Sequence, residues 1–463
     1  MSRKYILYIA LALGIILVVA FGIQVKKLQK QVGSAVRIIP AEPKSRAGVD
    51  QNGLETSTAN SLLRPNLLVK FRAGVSADTI TQITARFNDQ VQDEIEAVPG
   101  LTTIHDPDNT DAGGLAAQYR ALPEVEYAEP NYEISIDQTA SDKMLPNDPR
   151  TIEQWTLPDI SAPQAWANTK GSKDIVVAVL DSGVEYTHAD LANNIWTRPA
   201  DMKPYQDRDL GTIDDIHGYN AVTNDGDPID ENGHGTYCAG IIGAECANAV
   251  GVCGVNWNIQ IMPLKVFNAG GFGYVADAVE ALNYAIDRKH AGVNLRVINV
   301  SWGLTEHSRA LEDVISKAHE AGILFVVASG NTSTNIDATP RYPASYSLGN
   351  IISVAATDKS GALAQFSNYG AKSVTLAAPG KDILTTALGN DYKECSGTSM
   401  AAPVIAGVAA LALSDHPNLS VDQLRSLLLR SVDKLPDLQG KVTTGGRINA
   451  AKAVAAVGAK NGQ

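Results

Sequence analysis

Cysteine is scarce, with four residues in a chain of 463. That number excludes a disulfide-dense scaffold, and the lack of any paired C-x-x-C leaves no pattern for structural zinc. Aromatic residues are only 6% and charged residues 19%, while hydrophobic residues reach 44%, a balance too apolar for a mainly disordered chain. Positive charge is in deficit: 38 Lys and Arg stand against 50 Asp and Glu, for a formal net charge of -12. Such a chain has no electrostatic attraction for a phosphate backbone, so no nucleic acid is expected among its partners. No internal repeat is visible. The length exceeds one domain of about 150 residues and implies two or three structural parts.

Long uncharged runs are also rare, and the exception stands at the start. Tyr5 to Ile23 carries no charge, follows Arg3 and Lys4, and precedes Lys26, Lys27 and Lys30. As a helix it would be about 28 Å long, close to a hydrocarbon core of about 30 Å. Residues 1–30 therefore read as a transmembrane signal anchor, in contact with the membrane through residues 5–23, or as a cleaved signal peptide. For the second reading only Ala20-Phe21-Gly22 resembles a small-x-small site. Basic residues at both ends leave the orientation to function.

Residues 31–64 mix Pro, Gly, Ser and charges without an apolar period and read as a linker. Residues 65–138 form a small α+β unit. Asn66–Phe71 is a strand, Ser76 caps a helix with Ile80, Ile83 and Phe87 at helical spacing, Leu115–Leu122 is a second helix, and Val125–Ile136 is a closing strand. A unit of about 70 residues is near the lower limit for independent folding and needs a partner surface. After a polar break, residues 147–463 alternate apolar strands with helices. The strands are expected at Ile175–Leu180, Ile259–Val266, Val297–Val300, Ile323–Ala328, Ile351–Ala355 and Val374–Ala377, with helices at Tyr274–Lys289 and Arg309–Ala321. Nearly continuous apolar strands between helices imply a three-layer α/β domain with a buried parallel sheet and right-handed crossovers.

Three segments carry chemistry. Asp181 ends an apolar strand, where α/β proteins assemble their sites. His234 sits between two glycines at a helix start, with side chains that would block the imidazole removed. Ser399 enters the apolar helical run Val404–Leu413 among small residues, at a positive helix end that favours an oxyanion, with Pro403 expected in the first turn. Each alone has a structural reading, respectively a turn cap, a core histidine and an N-cap serine.

Together, AVLDSGV around Asp181, NGHGT around His234, GTSMAAP around Ser399 and Ala328-Ser-Gly-Asn331 resemble the subtilisin-like serine peptidases, the subtilases, from about Pro146 onward, in the chain order Asp, His, Ser. The resemblance implies a subtilisin-like catalytic domain preceded by a small ferredoxin-like propeptide that chaperones folding and inhibits the enzyme intramolecularly in the manner of a product. It implies a serine endopeptidase of polypeptides, with Ser399 as nucleophile, His234 as base and then acid, Asp181 orienting the imidazole, and Asn331 with the Ser399 N–H donating to the oxyanion. Ser301, Trp302 and Gly303 would line the extended-peptide groove, and Ala328, Ser329 and Gly330 the primary specificity pocket, with room for a sizeable side chain. The propeptide likeness rests chiefly on Val125-Glu-Tyr-Ala-Glu-Pro-Asn-Tyr132, and self-cleavage is expected between about Asp137 and Pro146. The mature enzyme would then act outside the cytoplasm, tethered or released.

Structural calcium is implied twice. Asp148, Asp190 and Asn248 with the carbonyls of Cys246, Val250 and Val252 match one site, and Asn220, Asp225 and Asp227 form a second cluster, where a solvated acidic loop is the plain alternative. Tyr237, Cys238 and Val404 depart from residues usual in the family without touching the triad. Cys238 lies one turn past His234, which suggests inhibition by mercurials, as in the thiol-containing subtilases. Cys246 and Cys253 flank the first loop and would form a disulfide outside the cytoplasm. A dedicated processing protease and a non-catalytic peptide-binding scaffold are the competing functions.

Overall fold

Alternation of apolar residues on short strands builds the amino-terminal part from a central pair of strands outward. The computed structural model describes residues 66–108, 110–136, 139–144 and 150–455, with the backbone alone described for 133–144. The apolar run Tyr5–Ile23, the linker 31–64 and the calcium candidate Asp148 lie outside the described residues. Strand β1 (Leu67–Phe71) is followed by α1 (Ala77–Arg86), β2 (Gln90–Glu94), β3 (Leu101–His105), α2 (Ala112–Arg120) and β4 (Val125–Pro130). Ser76 caps α1 by accepting from Thr79 N, and Asp111 caps α2 by accepting from Gly114 N. The sheet order β2-β3-β1-β4 puts β1 in the middle, antiparallel to β3 and β4, as a ferredoxin-like βαββαβ unit requires.

The two faces of this sheet have different partners. Leu67, Val69 and Phe71 pack with Ile83, Leu115 and Tyr119 of its own helices. Leu68, Leu101 and Tyr127 face the other way and join the core of the larger domain. The expected partner surface is thus the rest of the chain, within one unit that spans Leu62–Gln463.

The closing strand expected over Val125–Ile136 is two strands, because Pro130 cannot donate to a ladder and the chain turns onto the larger domain. Asn131 Oδ1 accepts from Ala276 N, and Tyr132 O accepts from Val275 N. Strand β5 (Glu133–Ile136) then leaves the prodomain sheet, and β6 (Thr139–Met144) follows it.

In the larger domain β7 (Gly171–Asp181) is central. A hairpin of β8 (Tyr205–Asp207) and β9 (Gly211–Ile213) precedes β10 (Tyr219–Asn220), α3 (His234–Gly243), β11 (Asn258–Lys265), β12 (Phe272–Tyr274), α4 (Val275–His290), β13 (Leu295–Val300), β14 (Trp302–Gly303) and α5 (Arg309–Glu320). The chain continues through β15 (Leu324–Ala328), β16 (Ile351–Thr357), β17 (Leu376–Pro379), β18 (Ile383–Ala387), β19 (Asp391–Ser396), α6 (Thr398–Asp415), α7 (Val421–Arg430), β20 (Val432–Lys434), β21 (Gly446–Ile448) and α8 (Ala450–Ala455). Nine strands form one sheet in the order β10-β11-β7-β13-β15-β16-β17-β21-β20. It is parallel except at one end, where β20 runs antiparallel to β21 and makes the sheet mixed.

Period-two burial explains the three layers. Val177 and Val179 of β7 pack among α3 and α6, whereas Val176, Ala178 and Leu180 pack among α4 and α5. Helix α6 is long and apolar enough to cross a membrane, but 89% of it is buried in the protein as the core helix of one layer. Pro403 is its sixth residue rather than part of the first turn. Cys246 and Cys253 form a disulfide, and Cys238 and Cys395 are free and buried.

Candidate active site

The carboxyl end of β7 delivers Asp181 to the start of α3, where His234 is the first helical residue. His234 Nδ1 lies 2.8 Å from Asp181 Oδ1 and 3.0 Å from Oδ2, both side chains fully buried. Ser182 N donates to Asp181 Oδ1 at 2.8 Å, which fixes the carboxylate in turn. Close approach of α3 to β7 needs Gly235, where a Cβ would stand 2.0 Å from Gly183 O and 3.2 Å from Asp181 Cβ. Asp230, which the sequence reading missed, organises this entry. It accepts from Asn232 N, Gly233 N, Thr236 N and the hydroxyls of Ser182 and Thr236. Its signal was an acidic residue just ahead of a helix start.

Ser399 is the second residue of α6, after Gly397. Pro403 has no N–H to give to the carbonyl four residues back, which is that of Ser399. Ser301 supplies the replacement: its hydroxyl donates to Ser399 O at 2.8 Å, and Asn299 Nδ2 donates to Ser301 Oγ at 2.9 Å. Cys238 Sγ approaches the same carbonyl at 3.6 Å. The Ser301 side chain is therefore buried beneath Ser399.

Asn331 is oriented by α6. Thr398 N and the Thr398 hydroxyl donate to Asn331 Oδ1 at 2.8 and 2.9 Å, which turns Nδ2 the other way. A Cβ on Gly397 would stand 2.6 Å from Ser399 Oγ and 3.1 Å from Asn331 Nδ2, so the hydroxyl and the amide donor border one small space. His234 Nε2, the ring atom remote from Asp181, is buried and has no hydrogen-bond partner among the described residues.

Comparison with known proteins agrees with this geometry. The sequence profile of the subtilase family matches residues 172–447, more than half of the chain. This chain belongs to the subtilase family. A fervidolysin N-terminal prodomain profile matches residues 51–131, beginning ahead of the boundary expected at 65. A thermophilic serine proteinase from Bacillus sp. (strain AK1) is 36% identical over 387 residues, covering 81% of this chain and 87% of the relative. Subtilisin-like protease 1 of Plasmodium falciparum is 36% identical over 60% of this chain and 43% of its own length. A halolysin-like extracellular serine protease, Nep, of Natrialba magadii is 34% identical over 66% of this chain and 51% of its own. The subtilase is a serine endopeptidase carrying a prodomain.

One prodomain strand of the subtilase pairs with its catalytic domain. Strand β5 of the prodomain lies between two edge strands of the catalytic domain, antiparallel to β14 with Ile136 facing Trp302 and Ser135 facing Gly303, and antiparallel to β12 with Tyr274 facing Glu133. Substrate-like strand addition uses this same backbone pairing. Trp302 and Gly303 thus pair with β5 on one side, and Phe272–Tyr274, which has no strand pattern of its own, pairs with it on the other. Beyond the nucleophile, Thr139 of β6 faces Ser396.

Ala328, Ser329 and Gly330 are buried at the end of β15, held by Asn368, whose Nδ2 donates to Ser329 O at 2.9 Å. The space beside Gly330 is not simply open: a Cβ there would stand 2.6 Å from Arg341 Cδ. Room expected for a substrate side chain is shared with that arginine.

Asp181, His234 and Cys238 are the group of three ligand-type side chains that converges among the described residues. Burial first, and then the Asp181 charge, push the Cys238 thiol up, so it is held protonated. At the first calcium loop Asp190 accepts from Asn248 Nδ2 at 2.7 Å and from Val252 N at 2.9 Å, and burial pushes its pKa up to about 6. Asn248 Oδ1 accepts from Val250 N. In the second cluster Asp225 accepts from Asp227 N and the Thr223 hydroxyl, Asp227 from Ile229 N and the Tyr186 hydroxyl, and Asn220 Oδ1 from Val222 N. These oxygens hold the loop's own shape.

Proposed function

We propose that Asp181, His234 and Ser399 form the triad of this endopeptidase, with Asn331 as oxyanion donor, and that the chain is an autoprocessed zymogen active outside the cytoplasm. The observation that carries the reading is the buried Asp181–His234 pair, whose Nε2 is left for a proton while Ser399 Oγ and Asn331 Nδ2 share one space. Ser399 Oγ attacks the scissile carbonyl as His234 Nε2 takes its proton, and the same imidazolium then protonates the leaving amine. Asp181 keeps the ring in the tautomer with Nδ1–H and stabilises the cation. Asn331 Nδ2 and the Ser399 N–H donate to the tetrahedral oxyanion.

The domain reading is 1–30 anchor or signal, 31–64 linker, 65–138 prodomain and 147–463 peptidase. The maturation cut lies between about Asp137 and Pro146, a reading supported by the pairing of Ile136 with Trp302 and of Thr139 with Ser396, three residues before Ser399. Tyr5–Ile23 and the extracellular relative support export, tethered through residues 5–23 until cleavage. Structural Ca²⁺ would be held at Asp190, Asn248 and the carbonyls of Cys246, Val250 and Val252, with Asp148. Positive φ at Ala247, Ala249 and Gly251 curls that loop, and one buried carboxylate with an amide oxygen and carbonyls is a hard-oxygen set. Asn220, Asp225 and Asp227 would be the second set, their oxygens already accepting backbone N–H groups as those of the first set do.

The test is the full chain beside a Ser399→Ala twin, followed by intact mass and fluorophosphonate labelling. The parent alone should lose its prodomain and take the label. A parent that folds yet does neither would sink the protease reading in favour of a binding scaffold, and cleavage of one defined protein but not of unfolded casein would indicate a dedicated processing enzyme.

A further inference from the structure

The strand beside the one that delivers Asp181 ends in a buried cation. Strand β11 lies next to β7, parallel to it, with Lys265 facing Asp181. Lys265 is the one charged residue in the run Ile259–Val266, and it is 3% exposed. An ammonium is costly to bury without partners, so its donors have to be accounted for. Lys265 Nζ donates to Ser182 O at 2.9 Å and to Ile229 O at 3.0 Å, and it pairs with Glu231 Oε2 at 3.4 Å.

The two carbonyls belong to different loops, and each loop serves one half of the Asp181–His234 pair. Ser182 follows Asp181 directly. Its N–H donates to Asp181 Oδ1 at 2.8 Å, while its hydroxyl accepts from Gly235 N at 3.0 Å and donates to Asp230 Oδ1 at 2.8 Å. Ile229 precedes Asp230, whose carboxylate takes the N–H groups of Gly233 and Thr236 on either side of His234. The loops run so close that a Cβ on Gly183 would stand 2.4 Å from Pro228 O and 2.9 Å from Ile229 O. Carbonyl oxygens aimed at one point repel, and a buried one without a donor is costly. An ammonium, with three donors and no acceptor, lets both point inward. Each of these carbonyls is one residue from a buried carboxylate, Asp181 or Asp230, so the same ammonium offsets negative charge at both.

We propose that Lys265 is a positioning residue for catalysis: its ammonium clamps the loop after Asp181 to the loop before His234, and so sets the geometry in which Asp181 holds the imidazole. The proposal rests on the triad reading above and adds to it a group that acts through Ser182 and Asp230 rather than on the reacting atoms. Glu231, whose side chain is 60% exposed, is the solvent-side partner and not part of the clamp.

The experiment compares the full chain with its Lys265→Met, Lys265→Gln and Glu231→Gln variants. Self-cleavage followed by intact mass is a unimolecular rate that no substrate affinity enters, and peptide hydrolysis by the matured enzyme gives kcat and KM separately. Lys265→Met keeps the stem and removes the three donors. It should lower both the self-cleavage rate and kcat by about tenfold or more with KM within about twofold, since a small misplacement of a catalytic group costs rate and not binding. Glu231→Gln should change either by less than about twofold. In a Ser399→Ala background, where the chain stays uncut, Lys265→Met should move or broaden the low-field proton resonance of His234 Nδ1–H while the melting transition shows a folded chain. Should the Met variant not fold, Lys265→Gln, which keeps N–H donors on a shorter stem, is read by the same measures. A folded variant with the parent's rate, a loss confined to KM, a loss with the His234 resonance unmoved, or an equal loss from Glu231→Gln overturns the proposal. Two variants that both fail to fold make Lys265 a stability residue and overturn it as well. Fluorophosphonate labelling separates the failures: a labelled parent whose Lys265 variants keep its rate overturns the clamp alone, and an unlabelled parent overturns the triad reading with it.

Discussion

Two buried polar clusters in this subtilase meet opposite fates. Around Ser399 the groups are matched: Asp181 receives His234 and Ser182 N, Asn331 receives Thr398, and Ser399 O receives Ser301. Where the prodomain meets α4, acids face acids. Asp93 comes within hydrogen-bonding reach of Glu280, and both Glu280 oxygens, Asp93 Oδ1 and Asp207 Oδ2 are buried with no donor from the described residues. Around that pair stand Asp207, Arg208, Asp209 and Tyr205 of the β8–β9 hairpin, Glu94 and Glu96 of the prodomain, and Asp287, Arg288 and His290 of α4. Two carboxyls that close can bond only when one holds a proton. The first cluster therefore fixes a geometry, and the second makes an attachment conditional on pH.

The same prodomain shows the contrast at a second acid. Glu129 reaches the N-terminus of α5, where Arg309 N donates to Oε2 at 2.9 Å, Ala310 N donates to Oε1 at 3.2 Å and the Ser308 hydroxyl donates as well. A carboxylate at a helix N-terminus is matched by N–H groups and the helix dipole, which Glu280 is not.

The largest effect expected is at the matched corner. Asn331→Leu should lower kcat about 10²–10³-fold with little change in KM, the magnitude known for the loss of such a donor from subtilisin. Next, Ser301→Ala should lower kcat about tenfold while KM holds, since a buried acceptor is left without its donor. Adding Pro403→Ala should recover most of that loss, because a new backbone N–H can take the Ser399 carbonyl; a double variant no better than the single would show that Ser301 acts by packing. At the mismatched contact the sign comes from burial, then the neighbouring acid, which raise Asp93, and from burial, then Asp207, which raise Glu280. A raised carboxyl gives attachment that is complete below the ordinary carboxylate range and lost as pH rises through the raised value. The cleaved prodomain should stay bound at pH 5 and leave at pH 8 in size exclusion, and Glu280→Gln should tighten it by roughly tenfold at pH 8 and flatten the profile. Smallest, Glu129→Gln should weaken retention about threefold at either pH, a typical dipole contribution.

Some of this was legible without coordinates. Asp181, His234, Ser399 and Asn331 each sit where an element ends, and small residues around each mark the place. The apolar runs of β7, β11, β13 and β15 announce a buried parallel sheet because strands covered on both faces have no polar side. Ser76 and its helix were equally plain from capping and period. Phe272–Tyr274 and Arg341 were not, since each acts through a partner more than thirty residues away and neither has a local pattern, whereas Asp230 had one, an acidic residue ahead of a helix start, that went unread.

Sequence alone determined many of the elements and the order of the Asp181, His234 and Ser399 motifs that point to the family, because propensity, capping and glycine positions are local. Tertiary structure decided what those groups touch. It placed Ser301 under Ser399, β5 against β14, Arg341 between two glycines and Glu280 against Asp93. Contacts of that kind depend on how layers stack and strands register, which no window of neighbouring residues contains.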